Sequence, residues 1–140
     1  MPRQGLGGDV EPYSMDLRGT EPAALGDVRR WMTGALPHLG EDELQDVLIV
    51  ADEILANAYE HTPGPSRVRL TRFTVPLGVM VEVDDGSPEH PRVQPAQPVT
   101  RQRGRGLHIV DALCEAWGVH DDPGGGGKTV WARISSAPGY

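Results

Sequence analysis

The stretch EDELQDVLIVADEILANAYEH, residues 41–61, decides the fold. At about 100° per residue, Leu44, Val47, Leu48, Ala51, Ile54, Leu55 and Ala58 fall in one broad arc, which predicts a helix buried along one side. Glu53, Asn57 and His61 recur every fourth residue on a separate stripe. Pro63-Gly64-Pro65 ends the helix. Upstream, Ala24, Leu25, Val28, Trp31, Met32 and Leu36 also keep helical spacing. Thr20 suits the cap of that helix, and Pro37 and Gly40 its stop. Tyr13 to Leu17 alternates weakly, as a short edge strand does. Downstream, Arg67 to Val75 alternates strictly, Pro76-Leu77-Gly78 fits a tight turn, and Val79 to Val83 is a second strand. Residues 86–103 hold Pro88, Pro91, Pro95 and Pro98 without periodicity, which predicts a long loop. Helical spacing returns over Leu107 to Trp117. A last hairpin pairs about Trp117–His120 with Thr129–Ile134. This order predicts an α+β two-layer sandwich: a mixed, mostly antiparallel sheet with helices on one face.

The chain has 140 residues, enough for one domain. Its 18 Gly and 13 Pro gather at residues 1–10, 86–106 and 123–127. The net charge of −7 disfavours direct nucleic-acid binding, because phosphate backbones repel an acidic surface. Cys114 is the only cysteine, so neither an internal disulfide nor a cysteine metal cluster is expected. No apolar run reaches the ~18 residues of a membrane helix. Residues 1–10 lack the apolar core of a signal peptide. The expectation is a cytoplasmic domain over residues 11–135, with tails at 1–10 and 136–140.

Four motifs could carry chemistry. Glu53 and Asn57 lie one helical turn apart on one face, where a carboxylate and a carboxamide can hold water and a hard cation. A solvated polar face has the same pattern. Asp84-Asp85-Gly86-Ser87-Pro88 ends a hydrophobic strand, so an acid can aim into a cleft while the glycine lets backbone approach a ligand. Ordinary turn chemistry also explains Asp-Gly. Arg103-Gly104-Arg105-Gly106-Leu107 directly precedes a predicted helix, whose free N–H groups and dipole favour phosphate. A hinge would look alike. Gly124 to Thr129 resembles the end of a P-loop, but Val130 to Ile134 alternates as a strand, which excludes one. The five histidines show no metal spacing, and Ser87 lacks a nucleophile-elbow context. Trp31, Trp117 and Trp131 read as packing residues.

The order of these motifs is more specific than any one of them. VADEILANAYEHT (50–62), VEVDDGSPEHPR (81–92), GRGLHIVDALCEAWGV (104–119) and GGKTVWARI (126–134) together resemble the GHKL ATPase superfamily with its Bergerat fold. Within it, the chain is most similar to anti-sigma-factor serine/threonine kinases and related single-domain bacterial regulators. The resemblance implies ATP and Mg²⁺ as cofactors. It gives Asn57 the role of Mg²⁺ ligand and Glu53 that of the catalytic acid residue that orients or deprotonates the attacking hydroxyl or water. Asp85, rather than Asp84, would accept a hydrogen bond from the adenine amino group, with Gly86 beside it. Gly104 and Gly106 would admit the phosphates, joined by Arg103, Arg105 and Leu107. Residues 86–103 would form the ATP lid, and Thr129 would lie near the adenine. The family box Asp-x-Gly-x-Gly is here Asp85-Gly86-Ser87-Pro88.

The implied function is phosphorylation of an anti-sigma-factor antagonist, with partner switching that sequesters or releases a sigma factor and so regulates transcription. The alternative is a non-catalytic module of the same fold that binds ATP or a partner. A histidine-kinase-type catalytic fragment is a third class, and this sequence shows no phosphoacceptor helix region for it. Dimerisation through the first strand and helix is common in the anti-sigma subgroup. No membrane partner is expected.

Overall fold

The structure is a computed structural model that describes residues 11–74, 77–89 and 102–135. The elements run β1 (Glu11–Asp16), a 3-10 turn (Pro22–Ala24), α1 (Leu25–Ala35), α2 (Glu41–His61), β2 (Pro65–Thr74), β3 (Leu77–Asp85), α3 (Gln102–Leu113), β4 (Ala116–Asp121) and β5 (Lys128–Ser135). The strands form one five-stranded sheet in the order β1-β2-β3-β5-β4. Each of its pairings is antiparallel, so among the described residues there is no parallel pair and the sheet is not mixed.

The α+β architecture with helices layered on the sheet is as the sequence predicts. α2 lies on the sheet against β2, β3 and β5, and α1 and α3 pack on α2. Its buried face carries Val47, Val50, Ala51, Ile54, Leu55 and Ala58. Below it, β2, β3 and β5 contribute alternate residues: Val68 and Leu70, then Val79, Val81 and Val83, then Val130, Ala132 and Ile134. Val28 and Met32 of α1 and Val110 of α3 complete a single core. Each fully buried Leu or Val contributes about 1.5–3 kcal/mol relative to exposure, so this layer is the main source of stability.

Local departures from the expected elements have local causes. Thr20 does not cap a helix; its Oγ1 donates to the Leu17 carbonyl at 2.6 Å and bonds the Tyr59 hydroxyl at 2.7 Å. Leu77 and Gly78 belong to β3, opposite Thr74 and Phe73, rather than to a turn. The predicted turn residue Pro76 lies outside the described residues, as do 90–101 of the long loop and the tails at 1–10 and 136–140. α3 spans 102–113, not 107–117. Trp117 sits on β4 opposite Ala132, and its indole N–H donates to Asp111 at 3.0 Å. That bond places Trp117 against α3 without extending the helix. No helix among the described residues is long and apolar enough to cross a membrane.

Candidate functional site

α2 ends at His61 and β2 begins at Pro65. The link between them is tightly held. Thr62 bonds the Ala58 carbonyl through both its backbone N–H (3.1 Å) and its hydroxyl (2.6 Å), and Gly64 N–H donates to Thr62 Oγ1 at 2.8 Å. Gly64 has φ +122, a conformation that L side chains rarely adopt. Pro65 then pairs with Asp85. The last turns of α2, which carry Glu53 and Asn57, are thereby fixed to the end of the sheet where Asp85 lies. Glu53 and Asn57 are half-buried, flanked by the buried Ile54 and Ala58, so they line the rim of the core.

On β3 the alternation decides which acid faces the helices. Val79, Val81, Val83 and Asp85 are buried; Met80, Glu82 and Asp84 lie on the other face. This favours Asp85 over Asp84 for a site between sheet and helices. Asp84 belongs to an outer cluster: its Oδ1 accepts from Arg69 at 2.5 Å and from Thr129 Oγ1 at 2.6 Å, with Glu82 Oε1 also 3.7 Å from Arg69. Thr129 is opposite Asp84 in the β3–β5 register, hence on the outer face. Strand alternation thus points Thr129 away from the face that carries Asp85.

The residue opposite Asp85 is Lys128. Its Nζ donates to Asp85 Oδ1 at 2.8 Å and to the Ser87 carbonyl at 3.0 Å. The same Oδ1 accepts the Ser87 N–H at 2.8 Å. The two side chains are 1% (Asp85) and 3% (Lys128) exposed. Gly127, just before Lys128, is pressed onto Asp85: a Cβ there would overlap the Asp85 carbonyl and crowd the Gly86 Cα. Lys128 is the site residue that motif reading missed. The signal was available, because Lys128, Val130, Ala132 and Ile134 alternate onto the buried face.

α3 begins at Gln102, so Arg103, Gly104, Arg105, Gly106 and Leu107 lie inside it rather than before it. Only the first four N–H groups of a helix lack an intrahelical partner. Gly104 is within that set and Gly106 is beyond it. Past the two linking residues Cys114 and Glu115, β4 starts at Ala116, opposite Arg133 and thus at the far end of β5 from Lys128. A helix of this length spans about 18 Å, and α3 packs on α2.

The donor set fits a hard cation. Asn57 and Glu53 offer oxygens at one turn's spacing, and Mg²⁺ typically takes one or two protein oxygens plus waters and phosphate. Among the described residues no group of three His, Cys, Asp or Glu forms a metal cage. The base end fits less well as it stands, because Asp85 is closed off by Lys128. Burial, helped by the charge of Asp111, pushes the Cys114 thiol up to about 11, so it stays protonated at neutral pH.

Comparison with known families finds a match. The family described as histidine kinase-like ATPase domain matches residues 19–134, nearly the whole described domain. A comparison with curated proteins finds no match.

Proposed function

Because the chain belongs to the histidine kinase-like ATPase family, we propose that it is a cytoplasmic serine/threonine protein kinase of the anti-sigma-factor type. It would bind ATP with Mg²⁺ at the Asp85 end of the sheet. It would phosphorylate an anti-sigma-factor antagonist and exchange that partner for a sigma factor, as a homodimer. The observation that carries the reading is the stripe of Glu53 and Asn57, tied by the link at 62–64 to the strand that pairs with Asp85.

Bound ATP would supply the phosphoryl group. Asn57 would hold the metal through its side-chain oxygen. Glu53 would hold the hydroxyl of the target Ser or Thr and take its proton. Phosphoryl transfer needs mostly positioning and charge neutralisation, and one carboxylate beside one metal ligand meets the first need. The N-terminal turn of α3, with its free N–H groups, supports the second. The second reading, a non-catalytic module, is favoured by the buried Asp85–Lys128 pair, which leaves the base end shut.

Calorimetric titration with Mg²⁺–ATP tests the site. Asn57→Ala should weaken binding at least tenfold, and unchanged affinity would remove the metal assignment. Glu53→Gln should keep ATP binding but lose ³²P transfer to candidate antagonist domains. Transfer at the wild-type rate would exclude the base role. ATP binding with no transfer to any such domain would favour the non-catalytic reading.

A further inference from the structure

We infer that Lys128 is an internal competitor for the nucleotide base. Its ammonium occupies the acceptor that the adenine amino group would need, and the site admits ATP only when the Asp85–Lys128 pair opens. The inference rests on the ATP-site reading above and concerns the regulation of that same site.

Several observations converge on this pair. Asp85 Oδ1 already accepts two bonds, from Lys128 Nζ and from the Ser87 N–H, both at 2.8 Å. An oxygen of a carboxylate has about two lone-pair positions, so this one is filled. The side chain is 1% exposed, which denies a ligand the rest of the carboxylate. Lys128 is also the only lysine in the chain, and it is buried at the one end of the sheet where the site lies. A buried ion pair is a poor device for stability alone, because well-packed apolar replacements are often neutral or better.

The second acceptor of the ammonium explains how the lock opens. Lys128 Nζ is held by the carbonyl of Ser87 at 3.0 Å, and Ser87 Oγ accepts the Glu89 N–H at 3.2 Å. Ser87 to Glu89 is the exit of β3, where the chain leaves the sheet toward residues 90–101. A shift of that exit segment takes one of the two acceptors from Lys128 and weakens its hold on Asp85. A primary amine on adenine then replaces the ammonium as donor to the carboxylate. A lysine side chain is long and flexible enough to swing away without moving β5.

The test compares wild type, Lys128→Met and Lys128→Gln by calorimetry, each with Mg²⁺–ATP and with the triphosphate of purine riboside, which lacks the 6-amino group. Thermal unfolding without nucleotide checks that each variant is folded. Lys128→Gln, which keeps a neutral donor, guards against failure of the methionine variant to fold. The expected result is a gain in ATP affinity of about tenfold or more for Lys128→Met and a smaller gain for Lys128→Gln. The purine analogue should gain little. Wild type that binds ATP while both variants bind equally or more weakly would overturn the inference and leave the ATP site standing. An equal gain for ATP and the analogue would also overturn it, since the amino group would then not be the competing donor. Failure of every form to bind ATP at millimolar concentration would overturn the ATP-site reading and this inference with it.

Discussion

Asp84 and Asp85 sit side by side on β3, and each is held by the residue opposite it on β5. Asp84 faces outward, 28% exposed, with Thr129 and a 31% exposed Arg69 around it. Asp85 faces the helices, 1% exposed, with Lys128 as its cation. The side chains are chemically identical and the partners are similar in kind. What separates them is the single-residue alternation of a strand, which moves one carboxylate out of water. In water an ion pair is screened and contributes little. In the interior the charges are costly to bury, and removal of either partner leaves the other stranded.

The comparison would break first at Asp85. Asp85→Ala leaves the Lys128 ammonium buried and unpaired, with an expected loss of about 3–5 kcal/mol by urea unfolding. A loss no larger than for an outer-face variant would mean that water reaches the inner pair. Gly127→Ala comes next. Its added Cβ would meet the Asp85 carbonyl, which belongs to a paired strand and yields little. Overpacking of this kind costs about 1–3 kcal/mol, measurable as a lower midpoint with unchanged m-value. The smallest effect is expected for Arg69→Ala on the outer face, about 1 kcal/mol or less. Added salt should shrink that difference further while leaving the Asp85 effect almost intact.

The same alternation explains what sequence reading resolves. α2 was legible to its ends, Glu41 and His61, because a continuous apolar arc stops at Pro63-Gly64-Pro65. β2 and β3 were legible because alternating Val and Leu mark the buried side. The choice of Asp85 followed from continuing that pattern past Val83. α3 was harder: Arg103-Gly104-Arg105-Gly106 has poor helix propensity, so the sequence hides the start at Gln102. At its other end, Leu113 and Trp117 are four residues apart, a spacing that mimics another turn although Ala116 already begins β4. Thr129 was placed by motif likeness rather than by counting along β5. Counting from Val130, Ala132 and Ile134 puts Lys128 inside and Thr129 outside. The roles of Glu53 and Asn57 came from the resemblance; their half-buried places on α2 agree with a rim position.

The register between β3 and β5 has a kinetic consequence. β2–β3 and β4–β5 are each hairpins of near neighbours, whereas β3 meets β5 across a large gap in sequence. Asp85 and Lys128 are 43 residues apart and close the last rung of that seam. Joining distant segments is the slow part of making a sheet, since loop closure comes before the contacts that reward it. Within the seam this rung closes the shortest loop, so it costs the least entropy to join and leads the rungs that follow. Asp85→Ala should therefore slow the refolding arm of the chevron more than it speeds the unfolding arm. The chemistry at the mouth of the site then also sets how fast the fold assembles.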